Sequence, residues 1–275
     1  MTDLQFAANV SDGFMFNEAG DLLQRYRAAR NFGFENVECA NPYGTPVEQI
    51  AEVLEETGMK QVLINAFAGP NKGDLGQAIL PISDEEFEIG MRRSINTAKA
   101  LRCSNVHFLA GKVPKGVPRN SLMPLYLRRL KWAAKESLPR HVNLLLEPIS
   151  PFVSDAYFLN HYGTAVDVVN ELECRNVKIQ LDLFHFQQLH PKYDVVKWAR
   201  VNQKAVGHIQ IAQSPQRNEP HAKGDIDYGK ILPALAEIFP DLYCGLEYKP
   251  SGATEAGLLA GKAAGPVFDY AASFL

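Results

Sequence analysis

The 275 residues are 46% hydrophobic and 21% charged, a balance that suits an ordinary globular chain with a sizeable core and excludes a disordered or fibrous one. A net charge of −3 gives no electrostatic footing for nucleic acid or an anionic membrane surface, and no run approaches the ~18 apolar residues of a membrane span. Small anions must then be held by a few local cations. Cys39, Cys103, Cys174 and Cys244 are scattered without CxxC or other metal spacing, so reduced core cysteines of an intracellular protein are expected. The opening MTDLQFAANVSDGF lacks a basic segment leading into a long apolar run, which argues against a secretory signal and for a cytoplasmic setting.

Leu4 to Asn9 (LQFAAN) reads as a first strand. Glu18 to Phe32 reads as a helix, with Leu22, Leu23, Tyr26 and Ala29 at helical spacing and Gly33 to end it. Asn36 to Cys39 gives a second strand and Pro46 to Glu56 a second helix, with Pro46 at a tolerated first-turn position and Gly58 beyond the end. Gln61 to Asn65 (QVLIN) is a third strand. The stretch from Ala66 to Ile82 is rich in glycine and proline and has no periodicity; a loop that long inside a compact fold is more often functional than idle. Ser83 and Glu86 then form a capping box that opens a helix running towards Leu101. Asn105 to Ala110 (NVHFLA) is strand four, and Leu122 to Glu136 the helix after it.

His141 to Ser150 (HVNLLLEPIS) is leucine-rich without polar alternation, as in a strand buried on both faces, and it ends at Glu147. Pro148 lacks an amide hydrogen and disfavours helical backbone at Glu147, so pairing should stop there. Val177 to Asp182 (VKIQLD), Val206 to Ala212 (VGHIQIA) and Leu242 to Glu247 (LYCGLE) follow the same pattern, each with one metal-competent side chain near its end: Asp182, Gln210 and Glu247. These residues are spaced roughly 30 to 40 apart, the length of one strand and its returning helix. Thr164 to Leu172, Val195 to Asn202 and Tyr228 to Phe239 supply helices between them, and Thr254 onward the last one. Eight strand candidates and no linker predict one domain over residues 1–275, an α/β chain folded as a single (β/α)₈ TIM barrel with its site at the C-terminal ends of the strands.

Two glutamates, an aspartate and a glutamine offer oxygen donors only, which favours Mg²⁺ or Mn²⁺ over Zn²⁺. Any one of these acids alone is as readily explained as a salt-bridge partner or a helix N-cap. Their joint placement at successive strand ends is what points to a shared site. Gln210 is the least specific member, and His208 two residues earlier shares its face. His185, just past Asp182, is either a satisfied structural histidine or a substrate-facing donor. Arg217 and Lys112 fall on the same predicted face and could clamp a carboxylate, with Lys249 a weaker third. No glycine-rich phosphate motif and no GxSxG is present.

Taken jointly, LLLEPI, KIQLDLFH, GHIQIAQSPQRNEP and LEYKP, with FENVECANPY, INAFAGP, FLAGK and GDIDY, resemble the hydroxypyruvate isomerases of the xylose-isomerase-like barrel superfamily along nearly the whole chain. The resemblance implies that Glu147, Asp182, Gln210 and Glu247 gather one divalent metal. It also implies that the two glutamates form the proton-transfer pair interconverting hydroxypyruvate and 2-hydroxy-3-oxopropanoate (tartronate semialdehyde). Gln77 stands where that family carries an arginine after Gly73-Asp74, a departure that bears on substrate preference rather than on the metal. The expected partner is therefore a small hydroxy-oxo acid, with no nucleic acid and no membrane, and with room for a homo-oligomer. A related sugar or 2-oxo-tetronate isomerase or epimerase and a non-catalytic binding protein on the same barrel remain the alternatives. A DNA-repair endonuclease fits less well, because it wants a histidine-rich zinc cluster and a basic face.

Overall fold

The apolar runs become strands of a closed barrel, covered by side chains filling its interior on one face and by helices on the other. A computed structural model describes residues 4–71 and 73–271. Its strands are β1 Gln5–Asn9, β2 Asn36–Cys39, β3 Lys60–Asn65, β4 Asn105–His107, β5 Asn143–Leu146, β6 Val177–Asp182, β7 Val206–Ile211 and β8 Tyr243–Leu246. Each pairs in parallel with its chain neighbours, and β8 closes on β1 with Ala7 opposite Gly245. The helices are α1 Leu22–Phe32, α2 Val47–Thr57, α3 Asp84–Ala100, α4 Met123–Ser137, α5 Tyr162–Leu172, α6 Leu183–Leu189, α7 Val195–Asn202, α8 Tyr228–Ile238 and α9 Thr254–Ala264. The fold is the expected (β/α)₈ barrel.

Three local expectations need correction. Strand β4 stops at His107 rather than Ala110, because the chain turns away to bond the loops beside it: the Ala110 amide donates to the Tyr157 hydroxyl (2.9 Å) and the Gly111 amide to the Leu75 carbonyl (2.9 Å). Helix α1 starts at Leu22 rather than Glu18, where Asp21 and Gln24 form a capping box. Helix α6 was not anticipated, since LFHFQQL continues the apolar run of β6 without a polar break. Among the described residues no helix is long and apolar enough to cross a membrane, and all four cysteines are free, Cys174 being only half-buried.

The far end of the long segment after β3 is tied down by one side chain from α4. Buried Arg129 donates to the carbonyls of Gln77 (3.0 Å), Leu80 (3.0 Å) and Ile82 (2.6 Å), and its Nε meets Asp84 at 3.1 Å. Gly76, with φ 114°, passes so close to Leu109 that any side chain there would overlap the Leu109 carbonyl. Replacing Arg129 by alanine strands several buried carbonyls, and on the scale of hydrogen bonds to a charged group it should cost on the order of 3 kcal/mol. Urea unfolding measures this, and a change below about 0.5 kcal/mol, the level of an ordinary surface substitution, would show that the loop is held by something else.

Candidate active site

Strands β5 to β8 are neighbours, so the polar residues at their C-terminal ends meet at one mouth. Glu147 follows β5, and Asp182 ends β6 on the same rung as Gln210 of β7, which is opposite Gly245 of β8. Glu147, Asp182 and His185 present oxygen and nitrogen atoms all within 4.8 Å of one another, and all three are buried. Glu247 joins them through Arg217, whose Nη2 lies 2.6 Å from Glu247 Oε2 and 3.5 Å from Asp182 Oδ2. The guanidinium is held between two rings, 5.5 Å from the centroid of Phe14 and 5.2 Å from that of Phe184. Gln210 is buried one layer in, its Nε2 donating to Glu38 (2.8 Å) and its Oε1 accepting from Gln180 (2.6 Å). Lys112 makes none of these contacts; its Nζ donates to the Gly73 carbonyl (2.6 Å) and clasps the loop after β3.

Asp182 serves as helix cap and site residue together. Its Oδ1 accepts from the amides of Phe184 (2.7 Å) and His185 (3.2 Å), starting α6, and its Oδ2 is left for Arg217 and for His185 Nε2 at 3.8 Å. His185 therefore enters the mouth on a helix that Asp182 itself nucleates. The Ser150 amide donates to His185 Nδ1 (3.2 Å) and the Ser150 hydroxyl lies 2.8 Å from the same nitrogen. That hydrogen-bond pattern assigns the proton of the neutral ring to Nε2, so His185 faces Glu147 and Asp182 as an N–H donor.

Sequence reasoning passed over four further polar side chains. His107 on β4 places Nδ1 3.1 Å from Glu147 Oε2. Asn9 at the end of β1 donates to Glu38 and Glu247, each at 3.3 Å. Glu38 of β2 and Gln180 of β6 complete the layer beneath Gln210. The available signal was a polar residue between two apolar neighbours, as with Asn9 in ANV, Glu38 in VEC, His107 in VHF and Gln180 in IQL.

The xylose isomerase-like TIM barrel family matches residues 26–264. The chain belongs to that family. Within it the chain is similar to the hydroxypyruvate isomerase of Escherichia coli, at 33% identity over 93% of this chain and 97% of that one. It is also similar to the 2-oxo-tetronate isomerase of Haemophilus influenzae, at 35% identity over 92% and 96%. Among solved structures, a Brucella melitensis protein described as an AP endonuclease, family 2, superposes with a TM-score of 0.88 at 31% identity, over 94% of this chain and 98% of that one.

For a xylose isomerase-like barrel, the residues at this mouth fit a divalent cation on charge and on donor chemistry. Glu147, Asp182 and Glu247 can carry three negative charges against the single positive charge of Arg217, and the surplus equals that of one divalent ion. Several buried polar atoms around the cluster lack a partner, including Glu147 Oε1, His107 Nε2, Gln180 Oε1 and Arg217 Nε. Burial is the main electrostatic influence on the acids. It raises Glu147 well above the carboxylate range, reinforced by the charges of Glu247 and Asp182. It lifts Asp182 to about 6 and Glu247 to about 8, in both cases against the opposing pull of Arg217. Burial also lowers His107 to about 3 and His185 well below the histidine range, so both rings are neutral.

Asp182 and Glu247 hold protons more tightly folded than unfolded, so the folded chain binds extra protons between the ordinary carboxylate range and about pH 8. The buried neutral His107 and His185 act in the opposite sense up to the ordinary histidine range, so the acids set the slope only above it: stability of chelator-treated protein should fall as pH rises from about 7 to about 8, and saturating Mn²⁺, which binds the ionised acids, should recover most of that loss. Melting temperatures across that range test both statements; a rise with pH without metal would contradict the assignment of these acids as buried and proton-binding.

Proposed function

We propose that this protein is an isomerase interconverting hydroxypyruvate and 2-hydroxy-3-oxopropanoate by moving a proton between adjacent carbons, with Glu147 and Glu247 as the transfer pair. The observation that supports this most directly is the convergence of Asp182 and Glu247 on one guanidinium with buried Glu147 beside Asp182, in a family that includes relatives described as isomerases at 33% and 35% identity. Glu147 is held at Oε2 by His107 while its Oε1 has no partner, which leaves one oxygen to take a proton from carbon. Glu247 is held by Arg217 and Asn9. Burial raises both acids, Glu247 to about 8 and Glu147 in the same direction, which favours carboxyl groups that hold and release a proton.

Each remaining side chain has a positional task. His185 offers its Nε2–H to a substrate oxygen, and Arg217, whose Nε is unpartnered, offers a planar donor set to the substrate carboxylate. Phe14 and Phe184 exclude water from the guanidinium and fix its plane. Glu147, Asp182, Gln210 and Glu247 would hold Mg²⁺ or Mn²⁺, which when bound supplies Lewis-acid polarisation of the carbonyl and hydroxyl oxygens of the substrate. A second reading, isomerisation of a 2-oxo-tetronate one carbon longer, is favoured by the Haemophilus influenzae relative. Parallel turnover of the three- and four-carbon acids separates the two.

With saturating Mn²⁺, Glu147→Gln and Glu247→Gln should each lower kcat by roughly 10² or more, the scale for losing a general acid or base. Incorporation of solvent deuterium into hydroxypyruvate, followed by NMR, should fall in step. Exchange no faster than in buffer with the unaltered protein would mean a binding protein rather than an isomerase. Arg217→Ala should raise KM for the acid on the order of tenfold or more, as for loss of a charged hydrogen bond. An unchanged KM removes Arg217 from carboxylate recognition.

A further inference from the structure

Beneath the mouth lies a buried carboxylate that the proposed chemistry does not use. Glu38, on β2, is 1% exposed and sits inside the barrel among Asn9, His208 and Gln210. One of its oxygens accepts from Gln210 Nε2 at 2.8 Å and from Asn9 Nδ2 at 3.3 Å, and the other pairs with His208 Nε2. The barrel makes room for it at Gly245, where a methyl group would overlap the Glu38 carboxylate.

A side-chain amide has a donor end and an acceptor end, whereas a carboxylate only accepts. With Glu38 beside it, Gln210 must turn its NH₂ inward, which commits its carbonyl oxygen to the opposite side, where it now accepts from Gln180 Nε2 at 2.6 Å. The hydrogen bond from the Gln210 NH₂ to Glu38 pushes electron density onto the amide oxygen and makes it a stronger donor towards a cation. Asn9 is oriented by the same logic. Its Oδ1 accepts from the Ser11 amide at 3.1 Å, so its NH₂ bridges Glu38 and Glu247.

We infer that Glu38, seated against Gly245 and paired with His208, is a positioning residue that fixes the orientation and donor strength of the Gln210 amide for a divalent metal. The inference rests on Gln210 being a ligand, as proposed above, and the experiment separates the two. Mn²⁺ affinity of the full-length chain is measured by the EPR signal of free Mn²⁺ for the unaltered protein, Gln210→Ala, Glu38→Gln, Gly245→Ala and the Glu38→Gln/Gln210→Ala double variant. Glu38→Gln removes the constraint on the amide, and Gly245→Ala displaces the carboxylate while leaving its charge in the chain. Each should weaken Mn²⁺ binding about 10- to 100-fold, the usual effect of losing an outer hydrogen-bond partner of a ligand.

In the Gln210→Ala background, Glu38→Gln should cost several-fold less than it does in the unaltered protein, because its main route to the metal is the Gln210 amide, what remains passing through Asn9 to Glu247. A purely long-range charge effect of Glu38 would instead persist in full in the double variant, and that result, or unchanged affinity in Glu38→Gln, overturns the inference. If Gln210→Ala alone binds Mn²⁺ normally, the ligand assignment of Gln210 fails, and the positioning role falls with it by a different route. Should Glu38→Gln not fold, Gly245→Ala alone and combined with Gln210→Ala provides the same comparison, judged by the same two outcomes.

Discussion

Two carboxyl groups from different strand ends sharing one buried guanidinium is the constraint from which the mouth of this barrel takes its form. Arg217 lies against Asp182 and Glu247, and its backbone has φ 59°, a left-handed conformation that costs a non-glycine residue roughly 1 kcal/mol or more. The strain is held by two backbone bonds, from the Arg217 amide to Gln213 (2.8 Å) and from the Lys249 amide to Arg217 (2.7 Å). Gln213 in turn gathers the loop, its Nε2 donating to the carbonyls of Pro220, Ala222 and Ile226. The loop after β7 is thus shaped from within so that one cation reaches two strand ends.

The other loops on this face are tied by similar means. Arg129 holds the segment after β3 from behind, Lys112 clasps it at Gly73, and the Arg119 guanidinium bonds the carbonyls of Tyr157 and Phe158 in the loop after β5. Across the barrel, Glu18 accepts from the Thr254 amide (2.6 Å) and Glu219 from the Ser251 amide (2.8 Å), which ties the loops after β1 and β7 to the one after β8. Long side chains reaching from helices and neighbouring loops to carbonyls and amides let irregular backbone stay ordered where regular pairing has ended.

The strands were legible because a run buried on both faces has to be apolar, and a polar residue at its end has to be accounted for. LLLEP and IQLD announced Glu147 and Asp182 for that reason. Glu38, His107 and Gln180 were not legible, since each is flanked by apolar residues within a strand and its partners come from other strands. Only barrel closure brings His208 of β7 to Glu38 of β2, and only the pairing of β4 with β5 brings His107 to Glu147. Helix α6 was hidden for the opposite reason: its buried LFHF continues β6 so smoothly that only the Asp182 cap separates strand from helix. Gln77, which replaces the arginine expected from the resemblance, lies buried against Gly90 of α3, packed between the loop and that helix.

The same barrel accommodates proteins described as isomerases and one described as an endonuclease, so the fold alone does not select the chemistry. The charge distribution favours the small-acid reading proposed above. A phosphodiester backbone brings dense negative charge and is met by basic surfaces, whereas this chain has a net charge of −3 and an acid-rich mouth with Arg217 inside it. A small acid with one carboxylate and vicinal oxygens presents far less negative charge: Arg217 can face the carboxylate, and a divalent ion among the oxygen donors can face the rest. On this view the inner layer matters as much as the mouth. Gly245 opens space for Glu38, Glu38 fixes an amide, and the neutral oxygen so presented keeps the donor set from carrying a fourth negative charge towards an anionic substrate.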